Sequence, residues 1–328
     1  MNREMPWLFE SNFNRPYPKE SEIESIRAQK LFSFPGHSPK FNFAAMQIGF
    51  QGDPIVILDT DSNRLLPPGA TLRETRVDPT IETKIIHFKD DEKLELNLAT
   101  DLHCRFAQPL LSGDYLVLLR DFGTKKPNVA IATKQGTIEH KFRIHPDVED
   151  LQVSNDGKIW AGFGDEGVFS RDPVAANIIA CLDQEGRLLF PDRYYECFDC
   201  WCCSVNIVSE DTVWISTNMG RLVKINDLTI ERVYERKNSI SSTFCLTGNS
   251  ICWAPPAMLQ ATLMPSSKYD FFICTSLDNA EMRFLRAVDE DGITIAHESF
   301  AARGSKMYIK ADCSVYVFDL QENLPNRL

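Results

Sequence analysis

Val153-Ser154-Asn155-Asp156-Gly157-Lys158-Ile159-Trp160-Ala161-Gly162-Phe163-Gly164-Asp165-Glu166-Gly167-Val168-Phe169 is the segment from which the architecture can be read. It reads as the end of one strand, a tight Asp156-Gly157 turn and a second strand carrying Trp160. Asp-Gly between apolar alternations is the strongest short-range hairpin signal, because the turn needs positive φ at its central residues. Glycines 162, 164 and 167 then predict a turn into a third strand over the end of the segment. A weaker copy follows in Val208-Ser209-Glu210-Asp211-Thr212-Val213-Trp214, which runs on to Gly220-Arg221-Leu222-Val223. Trp214 takes the place of Trp160 in this copy, and a small residue stands two positions beyond each (Gly162, Ser216).

Beyond this unit the apolar period is two from Phe41 onward, with the principal turns near residues 52, 113, 157, 211, 249 and 305. Gly, Asn and Asp supply the backbone conformations that such turns require. Six landmarks at comparable intervals, with uneven loops between them, predict an all-β chain, a β-propeller of six blades with four antiparallel strands each. Such a ring closes by pairing a strand from one terminus with strands from the other, which removes an exposed edge. Residues 41–328 are expected to form this single domain, and residues 1–40 a short N-terminal extension. Within that extension Ser21 and Glu24 have capping-box spacing and Ile23 and Ile26 offer one apolar side, so a short helix is expected near 21–32. Residues 60–80 and 254–269, rich in proline, read as long connections, where a rigid repeat scaffold commonly carries function.

Composition narrows the function. The net charge of −11 opposes binding to phosphate backbones, which needs clustered Lys and Arg, so nucleic acid is not an expected partner. No apolar run approaches the roughly 20 residues of a membrane helix, and the N-terminus lacks the apolar core of a signal peptide. The expectation is a cytoplasmic protein that does not engage membranes. Its ten cysteines are then thiols rather than a disulfide framework.

Asp156-Gly157-Lys158-Ile159-Trp160 with Asp165-Glu166-Gly167-Val168-Phe169, followed by Ala180-Cys181-Leu182-Asp183 and Cys202-Cys203-Ser204-Val205-Asn206-Ile207, carries a resemblance. The hairpin resembles the repeat of NHL-type propellers and of the propellers in hybrid two-component sensors. The longer pattern, over about residues 147–225, is similar to a group of bacterial proteins of unknown function. Its members have Asp-Gly-Xaa-Ile-Trp, then Phe-Asp-Glu-Gly, then a strand containing Cys. The chain departs from that pattern at Gly164 and adds cysteines. The resemblance implies the propeller fold and implies no activity.

Candidate chemistry is sparse. Asp165 and Glu166 sit on a glycine-bounded loop where carboxylates can line a cleft, and Glu149 and Asp150 precede the same hairpin and can face the same rim. Trp160, Trp214 and Trp253 recur at equivalent places and read as packing between blades, whereas Trp7 and Trp201 have no repeat partners and are the candidate exposed contacts. The densest cluster is Cys197-Phe198-Asp199-Cys200-Trp201-Cys202-Cys203. Cys197, Cys200 and Cys202 are the alternative zinc ligands. No second Cys-x-x-Cys pair completes a tetrahedral site, and adjacent Cys202 and Cys203 face opposite sides of a strand. Packing thiols and no metal or other cofactor are therefore expected. The six histidines are scattered, and no P-loop, nucleophile elbow, His-Glu-x-x-His or dinucleotide fingerprint occurs. The pattern points to a non-catalytic binding or scaffold protein that uses one face or the central channel to hold a protein or small ligand. The alternative is a propeller hydrolase or lyase with a polar site in that channel.

Overall fold

In a computed structural model, residues 19–34, 41–60, 81–90, 92–100, 102–120, 127–191, 201–235, 243–254, 271–277 and 282–323 are described. Their strands form six sheets arranged as the blades of a propeller. From the inner strand outward, blade 1 is Asn42–Ile48, Pro54–Asp59, Ile81–Lys89 and Glu92–Thr100. Blade 2 is His103–Pro109, Tyr115–Arg120, Val129–Ala132 and Ile138–Phe142. Blade 3 is Val148–Val153, Ile159–Phe163, Ile179–Leu182 and Leu188–Phe190. Blade 4 is Cys202–Ile207, Thr212–Thr217, Arg221–Asn226 and Thr229–Glu235. Blade 5 is Phe244–Thr247, Ser250–Trp253, Phe272–Ser276 and Met282–Val288. Blade 6 takes Ser299–Arg303, Lys306–Ala311 and Ser314–Asp319 from the C-terminal part of the chain and its outermost strand, Gln29–Ser33, from the N-terminal part. The expected closure across the termini is present.

The six turns read from the sequence are the first hairpin of each blade, and Gly52, Gly113 and Gly157 hold φ of +88°, +83° and +84° there. Two readings need correction. The helix near 21–32 is replaced by a three-residue helical turn, Glu20–Glu22, and two strands, Ile23–Arg27 and Gln29–Ser33. Burial there falls on Ile26 and Ala28, a period of two, so both side chains reach the core between blades 5 and 6. Ile23–Arg27 also adds a fifth, parallel strand to blade 5, with Arg283 Nε 2.9 Å from Glu24 Oε1 and Arg286 Nη2 3.1 Å from Glu20 Oε2. Asp165–Val168 is a helical turn rather than a third strand, because the Asp147 carboxylate takes the Gly167 N–H at 2.9 Å and Asp165 Oδ1 takes the Glu166 N–H. Val288 and Thr294 form an isolated antiparallel bridge.

Apolar side chains fill each gap between neighbouring blades. One cluster joins blades 2, 3 and 4, and others join 4 to 5, 5 to 6, 6 to 1 and 1 to 2, so the core is a closed ring around the axis. Trp160, Trp214 and Trp253 are buried on the second strands of blades 3, 4 and 5, against Phe190, Tyr234 and Phe244 respectively. Blades 3 and 4 approach closely at Gly162: a Cβ there would stand 2.4 Å from Cys202 Sγ.

The two faces of the ring differ. Hairpins within blades, such as 49–53, 110–114 and 154–158, are short and lie on one face, the turn face. The long connections, 60–80, 121–128, 164–178, 191–201, 236–243 and 254–271, all join strand ends on the opposite face, the connection face.

Trp160→Ala is expected to lower the unfolding free energy by about 3–5 kcal/mol, the usual cost of truncating a buried aromatic. Urea denaturation checks this, and a variant as stable as the parent would place the indole outside the core.

Candidate functional site

Six inner strands converge on the axis, and their backbone groups need partners. Blades 1 to 4 supply them with an amide at one repeated position: Gln47, Gln108, Gln152 and Asn206 stand opposite Ile55, Leu116, Trp160 and Trp214. Gln108 Nε2 donates to Gln47 Oε1 at 3.2 Å, and Gln108 Oε1 accepts from Val153 N at 3.4 Å. Gln152 reaches into blade 4, donating to Val205 O at 2.7 Å and accepting from Ile207 N at 3.2 Å. The same Nε2 lies 3.1 Å from Ala302 O, across the axis in blade 6. Asn206 donates to Phe244 O at 2.8 Å and exchanges hydrogen bonds with Gly304, at 3.1 Å to its O and 2.7 Å from its N. Arg303 Nη2 donates to Val153 O at 2.9 Å, also from blade 6 to blade 3. Burial pushes the Arg303 guanidinium down to about 10. These bonds close the axis near the turn face.

Above this floor the inner strands of blades 1 to 4 each carry a β-bulge, at Phe43/Ala45, Cys104/Phe106, Val148/Asp150 and Cys202/Ser204. A bulge re-aims side chains locally. The result is a cavity of ≈130 Å³ lined by Met46, Gln47, Ile48, Phe106, Glu149, Asp150, Gln152, Cys203, Thr243, Phe300, Ala301 and Ala302. Every blade contributes to it, blade 5 through Thr243 at the foot of its inner strand.

Asp150 is the less exposed of the two carboxylates in the lining. Its Oδ2 accepts from Val205 N at 2.8 Å and from Ser204 Oγ at 3.2 Å. Desolvation dominates those bonds and, with a small push from Glu149, raises the carboxyl to about 6. Among the described residues no cation forms an ion pair with it. Glu149, one position earlier, points to the rim, where its Oε2 lies 3.4 Å from Arg105 Nη2. The Arg105 guanidinium stands 5.5 Å over the Phe106 ring.

The structure therefore separates the expected carboxylates. Asp150 and Glu149 line one cavity. Asp165 and Glu166 are exposed on the helical turn and line none of it; the charge of Glu166 acts instead on Arg120, together with Glu149 and Asp147. Trp201, expected as an exposed contact, is half-buried against the core of blades 2 to 4, and its backbone N–H donates to Asn218 Oδ1 at 2.8 Å. Trp7, Cys197 and Cys200 lie outside the described residues. Cys202 is fully buried with its thiol pushed well up by burial, whereas Cys203, on the other side of the strand, lines the cavity. Burial likewise raises the thiols of Cys104 and Cys181 to about 12. Sequence reasoning missed the amide belt, though one signal existed: an amide stands eight residues before the second-strand residue it faces in four blades.

These features are those of a six-bladed β-propeller with a blind axial cavity. No family profile matches the chain, and no curated protein matches it in sequence. Solved structures with a similar course include YCF48 bound to a D1 peptide, at 11% identity and TM-score 0.46, covering 91% of this chain and 97% of that one. The Neurospora crassa Pan2 WD40 domain has 11% identity and TM-score 0.49, covering 95% of this chain and 99% of that one. A protein of unknown function from Bacteroides caccae has 12% identity and TM-score 0.43, covering 78% and 85%.

Gln152→Ala is expected to cost about 2–4 kcal/mol, since it strips partners from buried groups of two other blades at about 1–3 kcal/mol each. The exposed Gln184→Ala is expected within about 0.5 kcal/mol of the parent. Denaturant titration of both variants checks the contrast. A second expectation concerns pH. The folded carboxyl of Asp150 holds its proton up to about pH 6, above its ordinary 3.8, so the folded state binds more protons between those values. Stability from this group is therefore lost as pH rises through that window. Asp150→Asn keeps an acceptor for Val205 N–H, and its Tm should fall less than the parent's between pH 4 and pH 6.5, a comparison that thermal scans at each pH make directly.

Proposed function

We propose that this chain is a non-catalytic binding protein that takes its ligand on the connection face, with the axial cavity as the point of recognition. The observation that carries the reading is the asymmetry of the axis. It is sealed near the turn face by bonds from Gln152, Asn206 and Arg303, and lined above them by side chains of all six blades. A rigid scaffold that gathers its long connections on one face commonly places function there. A cavity of ≈130 Å³ suits one side chain of a protein partner or a small molecule of similar size. Drug-sized pockets run from about 300 Å³ upward.

The hydrolase or lyase reading has less support. Paired acid–base work needs two groups with separated roles. Asp150 has one such neighbour in Glu149, and that carboxylate is engaged by Arg105. Among the described residues no histidine lines the cavity. The net charge of −11 supports a partner other than nucleic acid, and among the described residues no helix is long and apolar enough to cross a membrane.

The test uses four-carbon probes, n-butanol, n-butylammonium and n-butyrate, with methyl-labelled methionine and NMR detection. At least one probe should shift the Met46 methyl signal, assigned through Met46→Leu, and leave exposed Met219 unmoved. If none shifts Met46 at millimolar concentration, the cavity is not a binding site.

A further inference from the structure

Resting on that reading, we infer that the axial cavity is selective for an alkylammonium group, which one carboxylate and two phenyl rings receive together. Three independent features of the lining converge on this chemistry. The first is a desolvated carboxylate held by neutral donors, with Arg303 as the one cation whose field reaches it among the described residues and no ion pair joining the two. Asp150 is held by neutral donors, the Val205 N–H and the Ser204 hydroxyl, and both of these bonds end on Oδ2. The backbone N–H of Leu151 on the same strand is a third neutral donor to the carboxylate. A carboxylate withdrawn from water is costly unless a cation meets it, so an arriving ammonium is favoured over a neutral group of the same size by whatever the pairing yields beyond its own desolvation.

The second is the sign of the lining. Among the described residues it contains two carboxylates and no Lys, Arg or His. The charged and titratable groups facing Asp150 are Glu149 on its own strand, Cys202 and Cys203 on blade 4 and Arg303 on blade 6. Arg303 is the cation of this set, and its Nη2 bond goes to Val153 O in the floor. The third is the pair Phe106 and Phe300, which line the same cavity as the carboxylate. Ring faces attract cations, and the protein itself shows this at the rim, where the Arg105 guanidinium sits over Phe106.

Size limits the group. An apolar cavity of about 150 Å³ holds a molecule the size of benzene. At ≈130 Å³ this cavity holds a chain of about four carbons with its nitrogen. A free alkylamine and a lysine side chain of a docked protein share that chemistry. They differ beyond the fourth carbon, where lysine carries a backbone that must pass the mouth on the connection face.

Isothermal titration at pH 7.5 with n-butylammonium, n-butanol and n-butyrate tests the selectivity. Butylammonium is expected to bind at least tenfold tighter than butanol, and butyrate weakest. In Asp150→Asn the ammonium preference should vanish while butanol binding persists, and in the parent it should shrink as pH falls from 7.5 to 5, when Asp150 becomes protonated. Equal binding of butanol and butylammonium, or a preference for butyrate, overturns the inference and leaves the cavity as a ligand site of other chemistry. Binding of no probe at all overturns the proposed function and this inference with it. Nα-acetyl-lysine N-methylamide distinguishes the sources: affinity at or above that of butylammonium assigns the site to a protein side chain, and its exclusion assigns it to a free amine.

Discussion

Satisfying the inner-strand backbone at the axis governs how this molecule is built. An inner strand pairs on one side only, so its other edge carries N–H and C=O groups with no ladder partner. A primary amide answers both needs, since its nitrogen donates twice and its oxygen accepts. Gln152 uses all of this capacity on two other blades, and Asn206 does the same for Phe244 and Gly304. The axis is thereby filled with hydrogen bonds near the turn face, and among the described residues the cavity lies next to this floor.

Apolar packing alone would not specify this arrangement. The clusters between blades form a continuous ring, and several of their members are interchangeable aliphatics. The belt is different, because each amide has one orientation in which donors and acceptors all match. Loss of one partner leaves buried groups such as those at Gln108, Gln152 and Asn206 without a match. The close approach at Gly162, where Cys202 occupies the space of a missing side chain, marks where blades 3 and 4 have been drawn together.

How much of this was legible in the sequence depends on the range of the interactions. Each first hairpin is local: a few residues with Gly, Asn or Asp in the turn and alternation on both sides. The turns near 52, 113, 157, 211, 249 and 305 were therefore legible, and with them the number of blades. The strand Ile23–Arg27 was not, because its partner Phe284–Val288 lies near the other end of the chain and its isoleucines mimic helical spacing. The helical turn at Asp165–Val168 was hidden for the same reason, since its stabilising carboxylate belongs to Asp147. The carboxylates of the site were visible as residue types. Which of them faces the axis was not visible, because that depends on a bulge whose position only the pairing with Ile159–Phe163 reveals.

That bulge couples architecture to site. At Val148/Asp150 one extra residue enters the inner strand of blade 3, and two consecutive acidic side chains diverge. Glu149 turns to the rim and meets Arg105, an ordinary solvated pair worth little. Asp150 turns toward blade 4 and is desolvated beside the cavity. The two carboxylates are neighbours in sequence and opposites in environment, and burial raises the carboxyl of Asp150 to about 6. The same device recurs in blades 1, 2 and 4, where it presents Ala44, Arg105 and Cys203 at the corresponding places. The scaffold thus repeats the geometry and varies the side chain, so the chemical character of the cavity is set by a few substitutable positions on an unchanged ring.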